Sequence, residues 1–167
     1  MAFPITVTFN DRLKTVVTAD NKQLILLYIA NYIREKKADN INIENDSVTY
    51  EGSTASSNWG KFNGVDNGIF TLLFKNDKWY IEYQINMRKL FIYTPIMVCG
   101  LGIFFALGGG PWWWPVLFGF LWLCGGNWLI NWVRHGALAT DLAEAIDEQF
   151  YLNDTATSVL PNDCEAS

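Results

Sequence analysis

The feature that most constrains this chain is a run of 44 residues, from Leu90 to Val133, that contains no charged side chain. A helix that crosses a bilayer needs about 20 predominantly apolar residues, so this run is long enough for two. Gly108-Gly109-Gly110-Pro111 divides it, and glycine commonly ends a helix while proline commonly opens one. The sequence therefore predicts a transmembrane helical hairpin over 89–134, with spans at about 90–107 and 112–133.

The tryptophans favour a membrane around this hairpin. Six of the eight lie within it, three of them at the turn and two, Trp128 and Trp132, at the other end of the second span. Such an aromatic belt is typical of a helix that passes both membrane interfaces. Two alternatives are a buried hairpin in a soluble fold, for which a domain of this size offers too little cover, and a re-entrant hairpin within one leaflet.

The basic residues beside the hairpin predict its orientation. Arg88 and Lys89 precede the first span and Arg134 follows the second, whereas the turn carries no charge. Because Lys and Arg accumulate on the cytoplasmic side, both chain ends are expected to be cytoplasmic. A compact domain beside a two-helix anchor is a general type among small bacterial proteins, so we expect a multi-pass protein of the bacterial inner membrane.

Small and polar residues inside the hairpin are expected to pack its two arms together. Small residues let helices approach closely in lipid, and polar residues form hydrogen bonds between helices. Thr94 is expected near the depth of Asn127, where a bond could join the arms. One alternative is a seam between copies of the chain; another is a polar path for a solute, which the lack of charged residues in the spans disfavours. The candidate packing residues are Thr94, Gly102, Ala106, Gly119, Gly126, Asn127 and Asn131.

Residues 1–88 are expected to form a cytoplasmic α+β domain, a small antiparallel sheet with one helix. Alternation of apolar and polar residues from Ile5 to Phe9 predicts a strand. Asn10-Asp11 predicts a turn into a second strand at Leu13 to Thr18. A helix capped by Asp20 is then expected to run to about Lys37. Asn-Asp pairs predict two further hairpins, with strands at 40–44 and 47–52 and at 69–75 and 78–86.

A loop from Ser53 to Gly68 contains two aromatic residues, Trp59 and Phe62. Long loops often carry function, so these two side chains are candidate contacts with a partner or with lipid headgroups. The alternative, which is favoured, is that they pack back onto the sheet as a lid over the core.

The acidic tail, 135–167, is expected to contain an amphipathic helix over about 137–152. Gly136 is expected to separate this helix from the second span. Residues 136–167 carry seven acidic and no basic residues, so the helix should not lie on anionic lipid. Its apolar stripe is therefore expected to dock on protein, with the chain's own N-terminal domain favoured over a partner.

The sequence offers little to support catalysis. A single histidine, His135, is expected at the membrane boundary, and the three cysteines form no metal-binding pattern. No phosphate-binding loop is present, no cofactor is indicated, and the acidic balance gives no reason to bind nucleic acid. We expect a non-enzymatic, membrane-anchored binding or scaffold module whose partners are the bilayer and another protein. The alternative is a self-assembling membrane protein or an accessory subunit of a membrane complex or pore.

Overall fold

The computed structural model describes residues 5–52, 62, 65–109, 111 and 113–158, with side chains as far as Tyr151. The N-terminal part is an antiparallel sheet of five strands in the order β1-β5-β4-β3-β2. Helix α1, Ala19–Glu35, connects β1 at one edge of the sheet to β2 at the other. The expected α+β fold is confirmed. The strands are β1 Thr6–Leu13, β2 Asp39–Glu44, β3 Ser47–Glu51, β4 Asn67–Lys75 and β5 Lys78–Asn86.

The expected turn at Asn10-Asp11 is wrong, because β1 runs straight through it. Asn10 pairs with Glu82 and Asp11 with Ile81. Strand β5 is nine residues long and offers a partner along the whole of β1, so pairing outweighs the local turn preference of Asn-Asp. The segment expected as a second strand then leads into α1, whose N-cap is Thr18 rather than Asp20.

Two helices are long and apolar enough to cross a membrane. The first is α2, Arg88–Leu107. The second begins as α3, Trp113–Phe120, passes through a π-helical segment, Leu121–Gly126, and continues as α4, Asn127–Ser158. Only 17% and 11% of their most apolar windows are buried, so most of their apolar surface is uncovered by the rest of the chain.

The expected helix break at Gly136 is also wrong. Helix α4 runs through Gly136 without interruption. The whole helix has 32 residues, which is about 48 Å at the usual rise per residue. One glycine costs a helix only about 1 kcal/mol, and this one lies where the helix meets the sheet. A Cβ atom at position 136 would be 3.2 Å from Cε1 of Phe9, so glycine allows close packing here.

Helices α1 and α4 together cover one face of the sheet. Leu138, Leu142 and Ile146 of α4 are almost fully buried, in one core with Ile29 of α1 and Ile81 of β5. The apolar stripe of the tail therefore docks on the chain's own N-terminal domain, as expected. The domain's second helical layer is thus a direct continuation of the second apolar helix.

Candidate functional site

Strand β1 and helix α4 run side by side in the same direction. Phe9 lies against Gly136, Asp11 accepts a hydrogen bond of 2.8 Å from the hydroxyl of Thr140, and the N–H of Lys14 reaches Asp147. The five residue steps along the strand from 9 to 14 and the eleven steps along the helix from 136 to 147 both cover about 17 Å. The two elements therefore stay in register for this whole distance.

Asp147 of α4 binds the segment that follows β1, at the end of the β1–α4 contact away from the apolar hairpin. Its carboxylate accepts hydrogen bonds from the N–H of Lys14 at 2.9 Å and 3.0 Å. It also accepts from the N–H and from the hydroxyl of Thr15, both at 2.9 Å. Hydrogen bonds to an ionised acceptor are about twice as strong as neutral ones. One side chain of α4 thus holds the chain where it leaves β1.

A buried polar network joins α4 to the centre of the sheet. The hydroxyl groups of Tyr50 on β3 and Tyr83 on β5 form a hydrogen bond. The Tyr83 hydroxyl also lies 2.7 Å from Nδ1 of His135 on α4. All three side chains are at most 1% exposed, so these bonds satisfy polar atoms that water does not reach.

Aromatic rings surround this network. Phe70 stacks on Tyr83 with ring centroids 4.0 Å apart, and Phe62 lies 4.6 Å from Tyr50 and 5.9 Å from His135. Burial raises the pKa of both Tyr50 and Tyr83, and the neighbouring Tyr50 adds to the rise at Tyr83. Both tyrosines are therefore neutral hydrogen-bonding groups and are not poised as bases.

The side chain of His135, a residue expected at the membrane boundary, is buried in the domain core and lies beside the end of the apolar hairpin. It continues the buried stripe of α4 one turn towards the apolar hairpin, since Asn131, His135, Leu138 and Leu142 are all buried. The spacing of four, three and four residues is that of one helix face. This periodicity is the sequence signal that could have placed His135 in the core.

The two loop candidates are placed differently. Trp59 lies outside the described residues. Phe62 is fully buried against Tyr50 and His135, in the manner of the favoured lid. Its side chain is therefore inaccessible to a partner in this conformation.

The apolar arms meet at some of the candidate packing residues. Thr94 and Gly102 of α2 are buried, and a Cβ atom at Gly119 would lie 3.5 Å from Val98. Ala106 is exposed, and a Cβ atom at Gly126 would meet nothing within 4 Å. The first three residues thus pack between the arms, whereas the last two face outwards.

The two asparagines bond within their own helix. The amide of Asn127 donates to the carbonyl of Leu123 at 2.6 Å, and that of Asn131 donates to the carbonyl of Asn127 at 3.0 Å. Such bonds to the preceding turn satisfy a polar side chain without a partner helix. No hydrogen bond joins Asn127 to Thr94 within the described chain, so the bond expected between the arms is not formed.

A groove follows the free edge of β1, which we call the β1 groove. Two adjoining cavities form it, of about 530 Å³ near Trp132 and about 520 Å³ near Glu148. Each is bounded by β1 on one side and by α4 on the other. The strand contributes Thr8, Asn10 and Arg12, and the helix contributes Trp132, Thr140 and Glu144.

The described part of the chain contains no candidate metal centre. No group of three or more His, Cys, Asp or Glu side chains in it could hold a metal ion. Comparison with protein-family models, with curated proteins and with solved structures found no match to this chain.

Proposed function

We propose that this protein is a membrane-anchored, non-enzymatic binding module that presents its α+β domain at the cytoplasmic face of a membrane. One observation carries the proposal: α4 leaves the apolar hairpin and becomes a layer of the domain without a break. On the other side, only Met87 separates β5 from α2, and its side chain is fully buried. Both connections are therefore rigid, which suits a domain that must act at a fixed height.

The uncovered apolar surface supports membrane insertion. Large side chains on both arms are strongly exposed, among them Leu107 at 85%, Phe104 at 73% and Trp122 at 69%. Exposed apolar patches of this extent are rare on soluble monomers and indicate a membrane or a protein partner. Insertion of both arms into a bilayer covers this surface from every side.

The basic residues support cytoplasmic ends and, in a bacterium, the inner membrane. Arg88, Lys89 and Arg134 lie at the domain end of the hairpin, and the turn end has no charge. Lys89 also fixes the start of α2, because its N–H donates to Asp66 at 2.8 Å.

The experiment that tests the proposal is gentle purification of the full-length protein from its native membrane, followed by native mass spectrometry. A complex with a different protein is expected. The matched variants are Leu142→Asp, which places a charge in the domain core, and Glu35→Gln, which changes an exposed position in the last turn of α1.

Leu142→Asp should lose the partner while remaining in the membrane fraction, and Glu35→Gln should stay membrane-bound and keep both its folded domain and the partner. A wild-type monomer without any companion would contradict the binding role. Retention of the partner by Leu142→Asp would show that the hairpin, and not the domain, makes the contact.

A second candidate is a self-assembling membrane protein or an accessory subunit of a membrane complex. The observation in its favour is open space at Gly100, Gly125 and Gly126, where an added Cβ atom would meet nothing within 4 Å. Outward-facing glycines permit close contact with another helix in lipid. Gly126→Leu should then reduce the mass of the assembly, and an unchanged mass would exclude this glycine from the contact.

A further inference from the structure

We infer that the β1 groove binds an extended segment of another protein in the same membrane, which adds to the sheet as a sixth strand beside β1. The segment is juxtamembrane and carries Lys or Arg at the end away from the bilayer. This inference rests on the proposed function and assigns the surface through which the module binds.

The first support is the free edge of β1, where alternate backbone groups face outwards. Met87 donates to the carbonyl of Ile5, so the odd residues of β1 bond to β5. The N–H and C=O groups of Thr8 and Asn10 consequently point away from the sheet, and among the described residues no strand lies beside β1 on that side. An edge of this kind is a template for strand addition.

The second support is the shape of the β1 groove. An edge strand flanked by a helix along about 17 Å leaves a channel in which a strand contacts backbone on one side and side chains on the other. The channel begins at Trp132 and Val133, beside the apolar hairpin. A segment that enters or leaves the bilayer next to this hairpin therefore reaches the groove directly.

The charge of the β1 groove favours a basic segment as its occupant. The far half of the groove has two basic and four acidic residues: Arg12 and Lys14 against Asp11, Glu144, Asp147 and Glu148. Glu144 and Glu148 are exposed and, within the described chain, take part in no salt bridge. Cytoplasmic segments next to spanning helices are enriched in Lys and Arg, which matches this acidic wall.

A second copy of this chain fits the edge poorly. Strand β1 begins beside the start of α2, since Thr6 pairs with Asn86, and it runs away from the hairpin alongside α4. Two β1 strands that paired antiparallel would point their hairpins in opposite directions. Both hairpins could not then enter one membrane, so an occupant that pairs antiparallel with β1 is a different chain.

The test is an NMR titration of the full-length protein in detergent micelles with two synthetic peptides. Each has the length of β1 and alternates Val with Thr; one has Lys residues at its N-terminal end, and the other has Glu there. An antiparallel strand puts that end beside Glu144 and Glu148. The Lys peptide should shift the amide resonances of Thr8 and Asn10 and slow their hydrogen exchange, because both N–H groups gain acceptors.

Three variants give the specificity. The double variant Glu144→Gln/Glu148→Gln should lower the affinity for the Lys peptide about five- to tenfold, as expected for the loss of two exposed ion pairs. The control Glu35→Gln/Glu44→Gln makes the same charge change near the β2 edge and should leave affinity unchanged. Asn10→Pro removes one outward N–H, which an edge strand tolerates, and should abolish binding.

The outcomes separate this inference from the proposed function. Equal binding of the two peptides, no binding at millimolar concentration, or shifts confined to other surfaces would overturn the groove assignment. If the amide resonance of Asn10 shifts with protein concentration and not with peptide concentration, a second copy of the chain occupies the edge of β1. That result would also overturn the groove assignment. In each case, a partner that co-purifies with the wild-type protein would still support the proposed function as a binding module.

Discussion

Tyr83 is the residue on which the junction between sheet and helix depends. Its hydroxyl bonds to Tyr50 on one side and to His135 on the other, and its ring lies between Phe9 and Phe70. A buried polar network is stabilising only when its members are satisfied. Removing the central hydroxyl therefore affects three elements at once.

Tyr83→Phe is expected to destabilise the domain by about 1–3 kcal/mol, because buried polar atoms of Tyr50 and His135 lose a hydrogen-bonding group. The thermal midpoint followed by near-ultraviolet circular dichroism in detergent micelles measures this. Tyr80→Phe is the control, since Tyr80 lies on the same strand and faces away from the helices. Equal midpoints for the two variants would show that the network adds no stability.

The domain is expected to lose stability at alkaline pH. The pKa values of Tyr50 and Tyr83 are raised in the folded state, so above pH 10, the ordinary tyrosine value, the unfolded chain releases protons that the folded chain retains. Each buried tyrosine then costs about 1.4 kcal/mol per pH unit. Phenolate absorbance near 295 nm should show that these two tyrosines ionise only when the domain unfolds. In Tyr83→Phe, the absorbance change that accompanies unfolding should be smaller, because one of the two tyrosines is absent.

Helix α4 is one element in two environments, which explains why sequence reasoning divided it. Its first turns belong to the apolar hairpin, and its later turns alternate apolar and acidic residues. Gly136 lies where the pattern changes, so the local sequence predicts a helix break there. The strands from Asp39 onwards and both apolar helices were predictable because their patterns are long and periodic. The β1–α4 contact was not, because it joins residues more than 120 positions apart.

Asp147→Asn is expected to loosen α4 from the end of β1. Asparagine keeps one acceptor oxygen but loses the charge that strengthens the bonds from Lys14 and Thr15, at a cost of about 1–2 kcal/mol. Hydrogen exchange at the amides of Lys14 and Thr15 should accelerate. Glu148→Gln, one position further along the helix and exposed, is the matched control. Unchanged exchange in Asp147→Asn would mean that apolar packing alone holds the helix.

At the scale of the molecule, the domain and the hairpin form one continuous body. The part of the long helix from Trp113 to Tyr151 has 39 residues, about 58 Å at the usual rise, while a hydrocarbon core is about 30 Å thick. In the proposed membrane arrangement, the remainder of the helix lies outside the bilayer, and this part packs in the domain. In that arrangement, the height of the domain above the membrane is set by the continuous helix and not by a flexible linker.

This arrangement predicts where single cysteines are accessible. In a protein whose native cysteines are replaced, Pro111→Cys in the turn should react with a membrane-impermeant maleimide added outside intact spheroplasts. Asn45→Cys, in the turn between β2 and β3, should react only after lysis, because positive charge lies on its side of the hairpin. Labelling of both positions from outside would exclude a spanning hairpin with cytoplasmic ends. Labelling of neither would indicate a re-entrant hairpin, whose turn stays within the bilayer while the domain still lies on the cytoplasmic side.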